Sequence, residues 1–351
     1  MTTTRRLTAT RLALLLGGTA IFLAFATAVA LLFGVESDAG GRHIVLLDPR
    51  LLFRHGPAAD QATQIFFLSR LPRAIAGAIA GAGLAAAGVA FQAVLRNPLA
   101  EPFTLGVSSG AALGAVIAIR LGLEATLLGA SAVPLSAFAG SLATVAVVWR
   151  LARVGSSRPP ATLLLAGITL AFVCSAASML VQYTASFTES YRIVRWMMGG
   201  LDWVPKRDLV ASGAVVAVGA LALLAFARDF NALAAGAEAA ASVGVRVDLA
   251  VGVAYLASSL VVGAVIAFAG PIGFVGIIVP HVLRAAVGPD HRALLPAAIL
   301  GGAAFVLLSD TAARSVLSPD QLPVGVVTAL VGGPFFLGLL VTEKGRSRLW
   351  G

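Results

Sequence analysis

Charge is what this sequence has least of. Only 12% of its 351 residues are Asp, Glu, Lys or Arg, while 59% are hydrophobic; an ordinary soluble domain carries about 25% charged residues. So little charge cannot cover a water-facing surface, which excludes a soluble all-α core and requires a membrane protein. Cysteine is almost missing as well. Cys174 is the single one and lies inside an apolar run, so an intramolecular disulfide is impossible and a small packed hydrophobe is the reading. The net charge of +9 comes from residues scattered between apolar runs, with no basic face and no interleaved aromatics. That removes nucleic acid as a partner, and anionic lipid headgroups provide a sufficient counter-charge.

What is present is apolar length. A helix needs about 20 apolar residues to cross roughly 30 Å of hydrocarbon. Stretches free of Asp, Glu, Lys and Arg run over 12–35, 74–95, 102–119, 125–149, 159–188, 209–227, 249–283, 293–309 and 321–342. The seventh would make a helix of roughly 50 Å, too long for one crossing. It contains Gly270-Pro271-Ile272-Gly273, which removes a backbone donor and adds glycine flexibility, so it divides there. The fold expected is therefore an all-α polytopic bundle of ten transmembrane helices. The fifth block reads as one long helix that continues into a short extracytoplasmic helix before Tyr191.

An even number of crossings places both termini on one side. Arg5, Arg6 and Arg11 precede the first span, and Lys344, Arg346 and Arg348 follow the last, so the positive-inside rule makes that side the cytoplasm. The expected organisation is a cytoplasmic tail at 1–11, one transmembrane domain over 12–343 and a second cytoplasmic tail at 344–351. A cleaved secretory signal ending at Ala28-Val29-Ala30 is the rival for the first block. Its apolar run exceeds the usual 7–15 residues of a signal core, so the helix is expected to be retained. The segments SSGAALGAVIA (108–118) and SSLVVGAVIA (258–267) echo one another, as a duplicated five-helix half would. Gly77-Gly81 and Gly110-Gly114 have the small-x-x-x-small spacing that permits close helix contact in lipid.

The spans also lack machinery. No block has an ionisable group in its middle, whereas gradient-driven carriers bury titratable relays near the bilayer midplane. Asp310 and Arg314 come closest, with the four-residue spacing of a structural pair on one helix. No G-x-x-x-x-G-K-[ST] phosphate loop exists, and the lysines are Lys206 and Lys344 alone, so this chain does not hydrolyse ATP itself. His43, His55, His281 and His291 form no paired metal-ligand spacing, and no nucleophile–base set or selectivity-filter motif is visible. Energy must then come from a partner. The alternative is an ion-gradient transporter or channel acting without an ATPase.

Two long stretches, SRLPRAIAGAIAGAGLAAAGVAFQAVLRNPLAEPFTLGVSSGAALGAV (69–116) and GPIGFVGIIVPHVLRAAVGPDHRALLPAAILGGAAFVLLSDTAARSVLSPDQLPVGVVTALVGGPFFLGLL (270–340), resemble the FecCD-type permeases of ABC importers. LLLAGITL (163–170) and VRWMMGGL (194–201) fit between them. The resemblance covers nearly the whole chain after the first thirty or so residues. It implies a permease in the cytoplasmic (inner) membrane of a prokaryote, forming the pathway for a ferric siderophore, haem or cobalamin. The implied partners are a second copy of the chain, two cytoplasmic ATPase subunits that carry ATP and Mg, and an extracytoplasmic binding protein. The chain itself holds no cofactor, no metal and no catalytic residue.

The resemblance also implies three sites. The ATPase contact falls at 231–245, with Gly236, Glu238, Ala239, Ala240 and Gly244; relatives often have Gly-Glu-Glu where this chain has Gly236-Ala237-Glu238. Docking of the binding protein falls to Arg70, Arg73 and Arg314, whose forks suit carboxylates; the usual Glu before Leu-Pro is Gln321 here. The cytoplasmic gate falls at Asn97, Pro98 and Leu99 and at Pro160 and Ala161. Small hydroxylated residues are usual at the second point, so closure there is expected to be steric.

Overall fold

The computed structural model describes residues 9–38, 41–46, 61–123, 126–127, 130–153, 159–202 and 204–341. The tail at 344–351, most of that at 1–11, His55, and the termini's Arg5, Arg6, Lys344, Arg346 and Arg348 lie outside the described residues.

The first apolar block forms α1 (Ala9–Leu32), which runs into an antiparallel hairpin of β1 (Phe33–Asp38) and β2 (Gly41–Leu46). This hairpin and a two-residue ladder of β3 (Thr126–Leu127) with β4 (Ala130–Ser131) are the departures from an all-α fold. Both sit in links between crossings, where exposed backbone can still find water; open sheet edges are not tolerated in hydrocarbon.

The second crossing begins earlier than its charge-free window. α2 (Gln61–Ile65), a π-helical turn at Phe66–Arg70 and α3 (Leu71–Leu95) follow one another without a gap. The widened turn comes just before Pro72, which has no N–H to continue an ordinary ladder. A 3₁₀ turn, Pro102–Leu105, then leads to α4 (Val107–Arg120), α5 (Ala132–Leu151) and α6 (Pro160–Tyr183). The fifth block does not extend as one rod. It stops at Tyr183, and a separate α7 (Phe187–Met197) runs past Tyr191. Ser186 opens α7 with a full capping box: its hydroxyl accepts from the Glu189 N–H, and Glu189 accepts from the Ser186 N–H.

The second half holds α8 (Lys206–Ala225), α9 (Ala227–Ala234), α10 (Ala237–Ser242), α11 (Val247–Ala269), α12 (Val275–Val287), α13 (His291–Ser315) and α14 (Val324–Val341). The expected break in the seventh block is present at 270–274, bounded by left-handed Gly270 (φ 65°) and Phe274 (φ 68°). Among the described residues ten apolar helices result, in line with the count from sequence. Seven are long enough to cross a membrane, and α4, α12 and α14 are shorter. α12, with 13 residues, reaches only about 20 Å and cannot cross alone.

α3, α11 and α13 form the middle of the bundle, with 72–78% of their apolar windows buried, against 17% for α6 and 28% for α5 and α8. Small residues make that centre. A Cβ added at Gly81 would collide with the Gly302 carbonyl, and one at Gly302 with the Gly81 carbonyl, so α3 and α13 pack backbone to backbone. α4 and α5 approach similarly through Gly110 and Gly114. The echo between 108–118 and 258–267 joins the third crossing to the seventh. A five-helix duplication would join the third to the eighth, so the echo is not its trace.

Candidate functional site

The candidate residues fall at the two opposite ends of α3. Arg73 lies in its first turn. Arg96, just past its last, has Nη1 3.4 Å from where a Gly236 Cβ would stand. The coupling segment and the arginine cluster are thus separated by the full length of that helix.

At the cytoplasmic end, α9 and α10 meet at Gly236 (φ 122°), and Gly244 (φ 87°) turns the chain back toward α11. α9 is anchored by Phe230 and Leu233, both buried. α10 presents Ala237, Glu238, Ala239 and Ala241 outward, with Ala240 turned inside. The result is an exposed shelf of small side chains bearing one carboxylate. Asn231 of α9 reaches the α12–α13 turn. Its Nδ2 donates to Asp290 Oδ1 at 2.8 Å, and its Oδ1 accepts the His291 N–H at 2.8 Å and faces His291 Nδ1 at 2.7 Å. Asp290 also caps α13 through the Arg292 N–H and binds the Arg292 guanidinium at 2.6 Å. Hydrogen bonds from the Arg292 side chain, together with that from Asn231, hold the Asp290 carboxyl below its ordinary value against the opposing pull of burial.

At the outer end the three arginines do gather, each engaged within the chain. Arg70 Nη1 donates to the Leu31 and Leu32 carbonyls at 3.2 Å, and Arg314 Nη2 to that of Ala30 at 2.6 Å. Together they cap the C-terminus of α1, where cations are favoured. Arg73 is buried at 8% exposure. Its Nε and Nη2 grip Asp310 at 2.8–3.0 Å, and its Nη1 meets Gln321 at 2.6 Å and Asp202 at 3.1 Å. The expectation of an Arg73 fork free for a partner's carboxylate is corrected accordingly, because its own chain already fills it. The Asp310–Arg314 pair within α13 is present but long, 3.6 Å, so the main partner of Asp310 is Arg73.

The expected gate residues Asn97, Pro98 and Leu99 follow Arg96, a left-handed residue (φ 47°). Asn97 folds the segment into a tight turn, accepting from Leu99 N–H at its side chain and from Ala100 N–H at its carbonyl. Pro98 and Leu99 are half-buried there. Pro160 starts α6 and Ala161 is exposed. The link between the two is the 3₁₀ turn, whose Leu105 packs on Gly167 of α6; a Cβ there would lie 2.7 Å from Leu105 Cα.

Sequence reasoning passed over Glu101. It is buried, and its Oε1 accepts the Phe274 N–H at 2.7 Å, fixing the break ahead of α12 from the gate segment. Burial raises its pKa to about 7, opposed by that hydrogen bond. The signal was available: an acid between Ala100 and Pro102 in an otherwise apolar stretch. Gln92 was also unread. It donates to the Gly276 carbonyl at 3.2 Å and accepts from Arg284 at 2.7 Å, tying α3 to α12. No cluster of metal-ligating side chains occurs among the described residues.

With this geometry in place, the comparisons agree. The FecCD transport family matches residues 23–342, which reaches back into α1. The cobalamin import system permease protein BtuC of Halobacterium salinarum is 44% identical over 278 residues, 79% of this chain and 73% of its own. The hemin transport system permease protein HmuU of Yersinia pestis is 38% identical over 287 residues, 81% of this chain and 85% of its own. A solved inward-facing transporter, described as metal-chelate type ABC, superposes with a TM-score of 0.78 at 30% identity, covering 95% of this chain and 99% of its own.

Proposed function

The chain belongs to the FecCD transport family, and on that premise we propose that two copies of it form the pathway by which an iron chelate, haem or cobalamin enters a prokaryotic cell across the inner membrane. An ABC importer permease is a multi-pass transport subunit. In our reading ATP and Mg sit on two cytoplasmic ATPase subunits, and an extracytoplasmic binding protein delivers and selects the substrate.

The observation that carries this reading is the exposed shelf at 234–244. Alanine and glycine side chains leave little to desolvate and let a partner's groove close on the backbone, while Glu238 offers one carboxylate for a partner cation. Such a surface gains little from water. We assign it to the ATPase, with Glu238 and Ala239 as the contact residues and Gly236 and Gly244 as its turn points; Ala240, expected among the contacts, is instead buried and anchors the shelf from within. At the outer end, the binding protein docks on the corner built by Arg70 and Arg314, with Arg73 placing Arg314 through Asp310. Asn97, Pro98 and Leu99, with Pro160 and Ala161, close the cytoplasmic mouth. ATP binding draws the ATPases together, the shelf moves, and helices along the dimer axis tilt so that one mouth opens as the other shuts. A large, rigid chelate needs a wide path with weak contacts, and helices without titratable centres provide one.

The test is reconstitution with the ATPases and binding protein in proteoliposomes, following labelled cobalamin and haem. ATP-dependent uptake is expected. Accumulation by this chain alone under a pH or sodium gradient would overturn the reading.

A further inference from the structure

The chain itself joins the shelf on α10 to α8 through α9 and to α11 through 243–246; what ties it sideways to the other spans is a small set of contacts. α10 is short and mostly exposed, and α9 lies across the cytoplasmic ends of α3 and α13. Phe230 and Leu233 hold α9 by apolar contact, including an edge-on ring contact of Phe230 with His291 at 6.3 Å. Apolar contact of this kind has no direction and permits sliding. Among the described residues, the directional side-chain bonds from α9 to another element are those of Asn231.

We propose that the Asn231 carboxamide is the joint through which the ATPase stroke enters the bundle, binding the coupling helix to the α12–α13 turn so that the two move as one body. This rests on the permease reading above. A carboxamide suits the place because it donates from one end and accepts at the other. Its Nδ2 needs an acceptor, which is Asp290, and its Oδ1 needs donors, of which the His291 N–H is one. An aspartate at 231 would set two carboxylates 2.8 Å apart, and an alanine would leave the His291 N–H without its acceptor and Asp290 bonded to Arg292 alone.

What the joint moves follows from the shape of α12. One end begins at the left-handed Phe274, pinned by Glu101 from the gate segment. The other ends at Gly288 (φ 96°), next to the joint. A short rod hinged at one end and held at the other is a lever. Arg284 and Gln92 carry its displacement across to α3, which leads directly into Asn97 and Pro98. The stroke therefore reaches the gate from two sides.

The test uses the complete reconstituted complex and measures ATP hydrolysis and uptake on the same vesicles. Loss of a hydrogen bond to a charged group weakens an interaction by about 1.5–3 kcal/mol, so Asn231→Asp should lower substrate moved per ATP by about tenfold or more, with hydrolysis retained. The exchange Asn231→Asp with Asp290→Asn restores a donor–acceptor pair in reverse and should recover most of the ratio. It also stays informative if the single variant fails to fold. Spin labels at Arg228→Cys and Ala286→Cys, with Cys174→Ser, should keep their separation on ATP binding in the wild-type background and lose that constancy in Asn231→Asp. An unchanged transport ratio in Asn231→Asp overturns the joint, and so does an exchange that restores nothing. Neither result touches the permease reading, which fails if the wild-type chain alone accumulates substrate under a pH or sodium gradient.

Discussion

Arg73 and Asp310 sit 237 positions apart and share the most buried ion pair of the outer end, with side-chain exposures of 8% and 6%. Removing one partner from a buried pair leaves an uncompensated charge and typically destabilises by about 3–5 kcal/mol. Asp310→Ala should therefore lower the melting temperature in detergent far more than Asp320→Ala, an exposed neighbour. The joint change Arg73→Met with Asp310→Leu should recover most of the loss, since apolar replacement of a whole pair is often neutral. Glu101 gives a second prediction at this scale. Its pKa is raised from 4.5 to about 7, so folding binds a proton more tightly than the unfolded chain does. The stability it contributes is complete below 4.5 and is lost as pH rises through about 7. Melting at pH 5 and pH 8 should differ more in the wild type than in Glu101→Gln, whose amide oxygen still accepts from Phe274; equal differences would refute the assignment. The pairing of Arg73 with Asp310 could not be read from sequence, whereas Glu101 stood out as an acid in an apolar stretch. A window sees Arg73 as an interruption of an apolar run, and only the fold brings Asp310 to it.

Element boundaries show the same limit. Charge-free windows began the second crossing at 74 and ended the ninth at 309, whereas the helices run from Leu71 and to Ser315. The windows failed because Arg73, Asp310 and Arg314 neutralise one another between helices, which lets charged residues stay in helix at the membrane edge. Where the local chemistry is self-contained, sequence sufficed. Gly270-Pro271 breaks the seventh block for reasons inside four residues, and the Ser186–Glu189 capping box, which was legible and went unread, likewise starts a new helix at the end of the fifth. Small-residue spacing announced close approach without naming the partner. Gly81 meets Gly302 on α13, and Gly110 and Gly114 meet α5. Because the added Cβ would strike backbone, which cannot rotate away, Gly81→Leu should exceed the about 1–3 kcal/mol usual for overpacking. Gly17→Leu, where nothing lies within 4 Å, should be silent. Comparable melting of the two would mean that α3 and α13 are not in backbone contact.

At the scale of the whole molecule, polar joints stand at both ends of α3 with apolar packing between them. The outer joint locks α1, α3 and α13, and the inner one locks α9, α12 and α13. Force applied to the shelf therefore meets a bundle stiff along α3 and α13 and hinged at 270–274. Beyond Ala240 the shelf adds little to the core, so most of it can be altered without unfolding the spans. Gly236→Arg forces a side chain onto a φ of 122° with Arg96 Nη1 3.4 Å from its Cβ, and Glu238→Arg reverses the one charge on the shelf. The double variant should insert and stay folded, with melting lowered only by the strain of a non-glycine residue at that φ, about 1–3 kcal/mol, because Glu238 is exposed and the group nearest a Gly236 Cβ is the flexible Arg96 side chain. It should nevertheless fail to retain the ATPase subunits on co-purification, and ATP-driven uptake should fall at least about tenfold, the loss of one charge-assisted contact. Normal assembly and uptake would remove the shelf from the mechanism and leave the work to be transmitted at some other cytoplasmic surface. A loss of folding would instead show that the shelf belongs to the core, against the burial that places only Gly236 and Ala240 inside it.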